Sequence, residues 1–297
     1  MPPIKDFDRL FNENSSDFIN ELKKIAFLEN KNSIGDYGNT YFTIGSIFHL
    51  DNFDKLLEED RKISYKLLYP SILRKKNQSN LEYNLKNINY DIHWIGSYFS
   101  NCQSFNKEYC IKELDEKSNL FFNYENKSFM NKTPFFPILS KIFNFFGLNI
   151  EKKLIFKNND ALGKFLNFAM NHELKKNNQF YLIHDLKTHW PYLTDSNCNY
   201  EENLGKKNIQ GIKNVVNCSR SQLIKIAKII SNKDPDAIVI FQSDHNWELA
   251  NYDQMKFGNR REFFNVIKLN SYCTNKISKF NSHTNTIKFA LKCATES

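Results

Sequence analysis

The sequence contains no Cys-x-x-Cys pair, although six of its 297 residues are cysteines. This absence argues against a zinc ribbon and against a thioredoxin-type redox motif. Cys102 and Cys110 are close enough in sequence to bridge one loop, which would require an oxidising compartment. The spacing of the cysteines leaves their pairing open.

Long apolar runs are also missing. The N-terminal stretch MPPIKDFDRLF lacks the basic-then-apolar layout of a signal peptide, and no run approaches the length of a membrane span. The best candidate, residues 135–150, is interrupted by Lys141. We therefore expect a soluble chain without a transmembrane helix.

The chain has neither internal repeats nor a Gly/Pro/Ser-rich linker, which predicts a single domain over residues 1–297. Its 41% hydrophobic and 15% aromatic residues are enough for a substantial core. The formal charge is +8, but the lysines are scattered among asparagines, as on a solvated surface. Because we find neither a basic helix nor an aromatic-rich binding strand, the sequence argues against a nucleic-acid partner.

Apolar periodicity divides the rest of the chain into helices and strands. Helical spacing predicts helices over residues 16–27, 160–174 and 214–231, and short apolar runs predict strands over residues 90–95, 179–183 and 237–241. The strand–helix–strand order of the C-terminal half indicates a parallel sheet covered on both faces by helices. Such sheets carry their chemistry at the carboxyl ends of the strands.

Polar residues follow two of the predicted strands. His184 comes after the strand at 179–183, and Ser243, Asp244 and His245 come after the strand at 237–241. A carboxylate beside an imidazole at a strand end can hold one divalent cation with oxygen and nitrogen ligands. The alternative interpretation is a helix-capping aspartate next to an unrelated histidine.

A second candidate segment is the sequence Thr-His-Trp-Pro-Tyr that contains His189. Pro191 stiffens this loop, so that the ring of His189 has a fixed direction, which suits a metal ligand or a donor to phosphate or sulfate. His184 could hold its partner or face the same cavity. In the alternative interpretation Trp190, Pro191 and Tyr192 plug the end of the sheet, and His184 is a satisfied core histidine.

The order of these motifs resembles the sulfatase-like family of the alkaline phosphatase superfamily, which includes sulfatases and phosphoglycerol or phosphoethanolamine transferases. The resemblance rests on an apolar strand, His-x-x-x-x-His-x-Pro-Tyr, a long helix and Asp-Pro-x-Ala-Ile-Val-Ile-Phe-Gln-Ser-Asp-His. Residues 260–267 and 285–291 are also similar, with Lys288 where arginine is usual. In the N-terminal half, residues 33–40 and the pair Thr133-Pro134 are similar more loosely.

The resemblance implies an α/β three-layer sandwich with a mostly parallel central sheet flanked by helices, like alkaline phosphatase. It implies that Asp244 and His245 bind a divalent cation such as Mn, Zn, Mg or Ca. His189 and His184 would bind the substrate, with His189 on the transferred anionic group or on a second cation. Thr40 would be the nucleophile, although Thr43 and Ser46 lie close by.

The implied activity is metal-dependent transfer or hydrolysis of sulfate or phosphate esters of envelope glycans or lipids, at the cell envelope. A cation lowers the pKa of the hydroxyl, so that it attacks sulfur or phosphorus and forms a covalent ester. Neither Cys-x-Pro-Ser-Arg nor Ser-x-Pro-x-Arg is present, which argues for threonine rather than a modified cysteine as nucleophile.

One departure from the family concerns the first strand. Family members begin with a buried strand whose terminal aspartate completes the metal site, and this chain starts at about the point where that strand has ended. We therefore expect either an N-terminal truncation, with the transmembrane helices of many relatives also upstream, or the loss of a ligand. A catalytically degenerate protein that binds an anionic glycan without turnover is the alternative function.

Overall fold

The computed structural model describes residues 1–52, 79–96, 160–174, 178–189, 192–201, 209–246, 259–274 and 280–296. Several residues discussed above lie outside the described residues: Cys102, Cys110, Thr133, Pro134, Trp190, Pro191 and residues 135–150.

The described ranges contain seven helices and five strands. The helices are α1 (Ile4–Phe11), α2 (Ser16–Lys24), α3 (Thr40–His49), α4 (Asn80–Asn87), α5 (Ala161–Asn171), α6 (Ile209–Lys233) and α7 (His283–Thr295). The strands are β1 (Phe27–Glu29), β2 (Asp91–Ile95), β3 (Gln179–Ile183), β4 (Val239–Gln242) and β5 (Asn265–Lys268). The helices predicted from periodicity are confirmed as α2, α5 and α6, and the three predicted strands as β2, β3 and β4. No described helix has the length and apolar character that crossing a membrane requires.

Four helices begin at a side chain that caps the first turn. The caps are Asn39 for α3, Ser79 for α4, Asp160 for α5 and Ser282 for α7, and each accepts a hydrogen bond from a backbone N–H of its helix. Asn, Ser and Asp are preferred at this position because they satisfy backbone donors that have no partner within the helix. The starts of these helices are therefore specified locally.

The strands form two small sheets. Antiparallel pairing gives a three-stranded sheet in the order β1–β5–β4, with Phe241 opposite Val266 and Leu28 opposite Ile267. β2 and β3 form a separate two-stranded sheet. Hydrogen bonds from Asp91 N to Asn178 O (2.7 Å) and from His184 N to the carbonyl oxygen that ends β2 (2.8 Å) join like ends of these two strands, as in a parallel pair.

The predicted three-layer sandwich around a mostly parallel sheet is wrong. Within the described residues β3 and β4 lie in different sheets, and β4 pairs with β5 in antiparallel register. The predicted strand–helix–strand order is correct. However, β5 lies beside β4, in the position that β3 was expected to occupy. The family-like fold that this sheet would have supported is therefore not observed.

The chain divides into two compact units. The first contains residues 1–92, 173–180 and 223–297, and the second contains residues 93–172 and 181–222. The assignment of all 297 residues to one domain stays a prediction. Each unit holds a disulfide bond among the described residues, Cys273–Cys293 in the first and Cys198–Cys218 in the second, with Cα–Cα distances of 5.7 and 5.0 Å.

The core of the first unit lies around β5, whose four residues are all buried. Its buried cluster consists of Ile267, Leu269, Cys273, Phe280, Phe289 and Cys293, with Leu28, Ile238 and Ile240 packed against it. Both faces of β5 are thus covered. The Cys273–Cys293 bridge, which joins a turn to α7, belongs to the same core.

Asn265 connects three segments inside this core. Its side-chain Nδ2 contacts Ser33 Oγ, Phe280 O and Thr286 Oγ1 at 2.8–3.2 Å, and its Oδ1 accepts a bond from Gln242 Nε2 (3.0 Å). Asn265 is 1% exposed. Because buried polar groups are costly without partners, this amide fixes how β5 meets the chain on either side.

We expect Asn265→Ala to lower the free energy of unfolding by about 3 kcal/mol, because it removes the amide and leaves its buried partners without it. Urea denaturation of the two proteins measures the difference. Asn285→Ala is the matched control, since that amide is exposed and, among the described residues, contacts Asn281 at 3.4 Å. Equal destabilisation by both substitutions would contradict the role of Asn265.

Candidate active site

The segment before α3 is held against the turn that precedes β5. Ile34 and Glu262 form an antiparallel bridge, and the Nε of Arg261 donates a hydrogen bond to the carbonyl of Gly35 (2.8 Å). Asp36 accepts bonds from the backbone N–H and the hydroxyl of Thr284 (3.0 and 2.6 Å) at the start of α7. These contacts fix the point at which α3 begins.

Thr40 is the first residue of α3. The preceding Asn39 caps the helix by accepting a bond from Phe42 N (3.0 Å). Thr43 and Ser46, the neighbouring hydroxyls considered as alternatives, are fully buried and donate to the carbonyls of Tyr37 and Thr43, respectively. Their hydroxyls have structural partners, whereas Thr40 is half-buried at the helix end.

The structure brings together three of the predicted site residues. Thr40 Oγ1 donates a hydrogen bond to Asp244 Oδ2 and lies 3.5 Å from His245 Nε2. His245 Nε2 lies 3.3 Å from Asp244 Oδ2, and the side chains of Asp244 and His245 are 27% and 23% exposed. We call these residues the Thr40–Asp244–His245 cluster. Its polar atoms converge at a place where the side chains of Asp244 and His245 are partly exposed.

The contact of His245 with a carbonyl indicates which ring nitrogen carries a proton. Its Nδ1 lies 2.6 Å from the carbonyl oxygen of Asn246, which can only accept, so Nδ1 carries the proton. In the neutral ring Nε2 then presents a lone pair to Asp244 Oδ2. A histidine that donates its outer N–H to a backbone carbonyl is typical of metal ligands.

His283 contacts the chain just beyond the end of β4, and the sequence patterns did not indicate this contact. Its Nε2 donates to the carbonyl of Ser243 (2.8 Å), and its ring stacks on Phe263 with centroids 3.7 Å apart. The residue is 0% exposed. Burial lowers the pKa of His283 below its ordinary value and outweighs the opposing effects of the hydrogen bond to Ser243 and of the nearby carboxylates. Because His283 lies beside the capping Ser282, its sequence context indicated only the start of a helix.

His184 and His189 belong to the second unit, whose geometry is described by itself. His184 is half-buried, and its ring lies 6.2 Å from that of Trp94, between centroids. His189 is exposed, and its backbone N–H donates to Leu186 O (2.9 Å). The expectation that adjacent strands of one sheet deliver these histidines and Asp244 is wrong, because β3 and β4 lie in different sheets. Their role in substrate binding stays a prediction.

The cluster offers a partial set of ligands for a cation. Over the described ranges, no group of three or more His, Cys, Asp or Glu side chains is arranged to hold a metal ion. Asp244 and His245 supply two such side chains, and the hydroxyl of Thr40 is a third donor atom. The cluster therefore supplies two side chains of the usual ligand types and one hydroxyl oxygen.

Comparisons of the chain with protein-family models, with curated proteins and with solved structures found no match. The resemblance to the sulfatase-like family therefore rests on the sequence motifs alone.

The packing of the His283 ring against Gly35 can be tested by substitution. A Cβ at Gly35 would lie 2.6 Å from the ring carbon Cε1 of His283, whereas one at Gly38 would lie 3.2 Å from the flexible side chain of Arg260. We expect Gly35→Ala to destabilise the protein by about 1–3 kcal/mol, because the buried ring cannot move away. Gly38→Ala should be tolerated. Thermal unfolding compares the two, and equal Tm values would contradict the packing argument.

The buried ring of His283 also predicts a dependence of stability on pH. Its pKa in the folded protein is lower than in the unfolded chain, so below about pH 6.5 the unfolded chain binds a proton that the folded chain does not. Stability should therefore fall as the pH is lowered from 7 to 5. We expect His283→Gln to make this decline shallower, measured by urea unfolding at several pH values. Identical slopes would rule out the contribution of His283.

Proposed function

We propose that the Thr40–Asp244–His245 cluster is the catalytic centre of a hydrolase or transferase that acts on phosphate or sulfate esters, with Thr40 as the nucleophile. The observation that carries this proposal is the hydrogen bond from the Thr40 hydroxyl to Asp244, beside His245. A half-buried threonine in contact with a carboxylate and an imidazole is arranged as an activated nucleophile. The proposal rests on this cluster and does not need the parallel sheet.

The contacts suggest how each residue acts. As Oγ1 of Thr40 attacks phosphorus or sulfur, its proton passes to the carboxylate of Asp244, which already accepts a hydrogen bond from it. The new bond joins Oγ1 to phosphorus or sulfur, and the bond to the leaving-group oxygen breaks. Asp244 passes this proton to the leaving-group oxygen. Water or an acceptor alcohol then attacks the phosphorus or sulfur of the threonine ester, its proton moves through Asp244 to Oγ1, and the bond to Thr40 breaks.

The start of α3 favours an anionic group at Thr40. The N-terminal end of a helix carries a partial positive charge, and the backbone N–H groups of its first turn point toward the end of the helix. α3 is ten residues long and begins at Thr40 itself. Developing negative charge on the transferred group would therefore be stabilised next to the nucleophile.

A divalent cation is the proposed cofactor, and Asp244 and His245 would hold it. When bound, it would lower the pKa of the Thr40 hydroxyl and neutralise negative charge on the transferred group. The mixed oxygen and nitrogen donors suit Mn or Zn more than Mg or Ca, which prefer oxygen alone. The proton on Nδ1 of His245 leaves Nε2 free for this contact.

The disulfide bonds support a location outside the reducing cytosol. Both described bridges have Cα–Cα distances within the usual range, and structural disulfides persist in oxidising compartments. A place at the cell envelope, with envelope glycans or lipids as substrates, agrees with this chemistry and is part of the proposal through the resemblance to sulfatase-like enzymes.

Substitutions in the cluster test the proposal. We expect the wild-type chain to hydrolyse p-nitrophenyl phosphate or p-nitrophenyl sulfate when Mn²⁺ or Zn²⁺ is added. Thr40→Ala should lose turnover by about 10³-fold or more but keep cation binding, because it removes only the nucleophile. Asp244→Asn and His245→Gln should weaken cation binding, measured by isothermal titration calorimetry.

Thr40→Ser is the matched control, since it keeps the hydroxyl and should retain turnover to within about tenfold. Intact-mass spectrometry after rapid quenching should detect the ester in the wild type and not in Thr40→Ala. Normal turnover by Thr40→Ala would place the nucleophile elsewhere. Cation binding without turnover of either ester would favour the alternative, a protein that binds an anionic glycan.

A further inference from the structure

The cluster is connected to the N-terminal helix through a buried hydrogen bond. The Nδ2 of Asn246 donates to Oδ2 of Asp6 in α1 over 2.6 Å. Asp6 is 3% exposed and Asn246 is 0% exposed. Because Asn246 directly follows His245, this bond links a carboxylate at the start of the chain to the neighbour of a cluster residue.

The burial of Asp6 calls for an explanation beyond an ordinary ion pair. Its Oδ1 lies 3.0 Å from Arg9, but the side chain of Arg9 is 53% exposed, so water screens that pair. A carboxylate removed from water is costly unless it is well hydrogen-bonded. The hydrogen bond from the buried amide of Asn246 to Oδ2 offsets part of this cost on the buried side of the carboxylate.

Three contacts within the described part of the chain hold Asn246. Its side chain donates to Asp6, its backbone N–H donates to Arg260 O (2.9 Å), and its carbonyl accepts from Nδ1 of His245 (2.6 Å). The first two contacts hold the side chain and the backbone nitrogen of Asn246, and so fix the position of the residue from which the carbonyl extends. The carbonyl in turn determines which ring nitrogen of His245 carries the proton.

We propose that Asp6 is a positioning residue for the cluster. It orients Asn246, and the carbonyl of Asn246 keeps the proton of His245 on Nδ1, so that an unprotonated Nε2 faces Thr40 and Asp244. The role in catalysis rests on the function proposed above, whereas the effect on the tautomer does not. Loss of the Asp6 carboxylate removes the partner of Nδ2, so that Asn246 and its carbonyl shift relative to the His245 ring and the His245 proton can move to Nε2.

A simpler role for Asp6, attachment of α1 to the rest of the unit, gives a different expectation. Any substitution that weakens α1 would then disturb His245 equally. Phe7 provides the comparison, because it is fully buried in the same helix and packs on Phe11 with ring centroids 4.6 Å apart. Phe7→Leu should destabilise α1 without removing the bond between Asp6 and Asn246.

The experiment records long-range 1H–15N spectra of the full chain labelled with 15N in histidine, at pH 8.5, with the His245 signals identified by their absence in His245→Gln. We expect the Nδ1–H tautomer in the wild type, in Phe7→Leu and in Asp6→Asn, whose side-chain oxygen still accepts from Asn246. Asp6→Ala should show a mixture containing Nε2–H. Asn246→Ala, which removes the donor from the other side, should show the same mixture and serves if Asp6→Ala does not fold.

Wild-type tautomer in both Asp6→Ala and Asn246→Ala would overturn the inference, and so would an equal shift in Phe7→Leu. A second measurement titrates the same proteins with Mn²⁺ by calorimetry. Asp6→Ala should bind it about 10-fold to 100-fold more weakly, as is typical when the outer partner of a ligand is lost. Arg9→Ala, which removes only the exposed partner, should match the wild type. If even the wild type binds no Mn²⁺, the proposed cofactor fails, while the spectra still decide the role of Asp6.

Discussion

The antiparallel pairing of β4 with β5 is the constraint on which the candidate site depends. Just beyond the paired residues, Ser243 and Phe264 bond through their backbones, and Ser243 Oγ accepts a further bond from Phe264 N (2.9 Å). The chain therefore leaves the sheet at a fixed position, and Asp244 and His245 follow at once. Thr40 reaches the same place because the segment before α3 is attached to the turn preceding β5. One strand pair thus positions side chains about 200 residues apart in sequence.

Local elements could be predicted from the sequence, but strand pairing could not. Apolar periodicity identifies α2, α5 and α6 because the signal lies within each element. β5 was overlooked because its ends are Asn265 and Lys268, which are polar types that rarely lie in a core. Lys268 is 4% exposed, and its ammonium donates to the carbonyl of Ala237 (3.0 Å), while burial lowers its pKa. A buried lysine with backbone partners leaves no pattern that distinguishes it from a solvated one.

The same distinction applies to the site. Asp244 and His245 could be identified because they directly follow an apolar strand, and Thr40 could be singled out only through the resemblance to a family. Asp6 and His283 could not be found in this way. Asp6 appears as a first-turn helix acid and His283 as a residue beside a cap, so their contacts with Asn246 and Ser243 depend on tertiary structure alone. Sequence patterns thus identified the side chains of the Thr40–Asp244–His245 cluster and missed the buried residues that contact the chain around it.

The division between exposed and buried groups bears on the proposed catalysis. The reactive side chains of Asp244 and His245 are about one quarter exposed, whereas Asn246 and His283 are completely buried. In the proposed catalytic centre, the groups that would meet a substrate are thus partly exposed, and the groups that contact them from within are shielded from water. Hydrogen bonds in a buried environment are stronger and less easily exchanged with solvent. Such support reduces the reorganisation needed when charge develops in a transition state, which is the main source of catalytic power in preorganised sites.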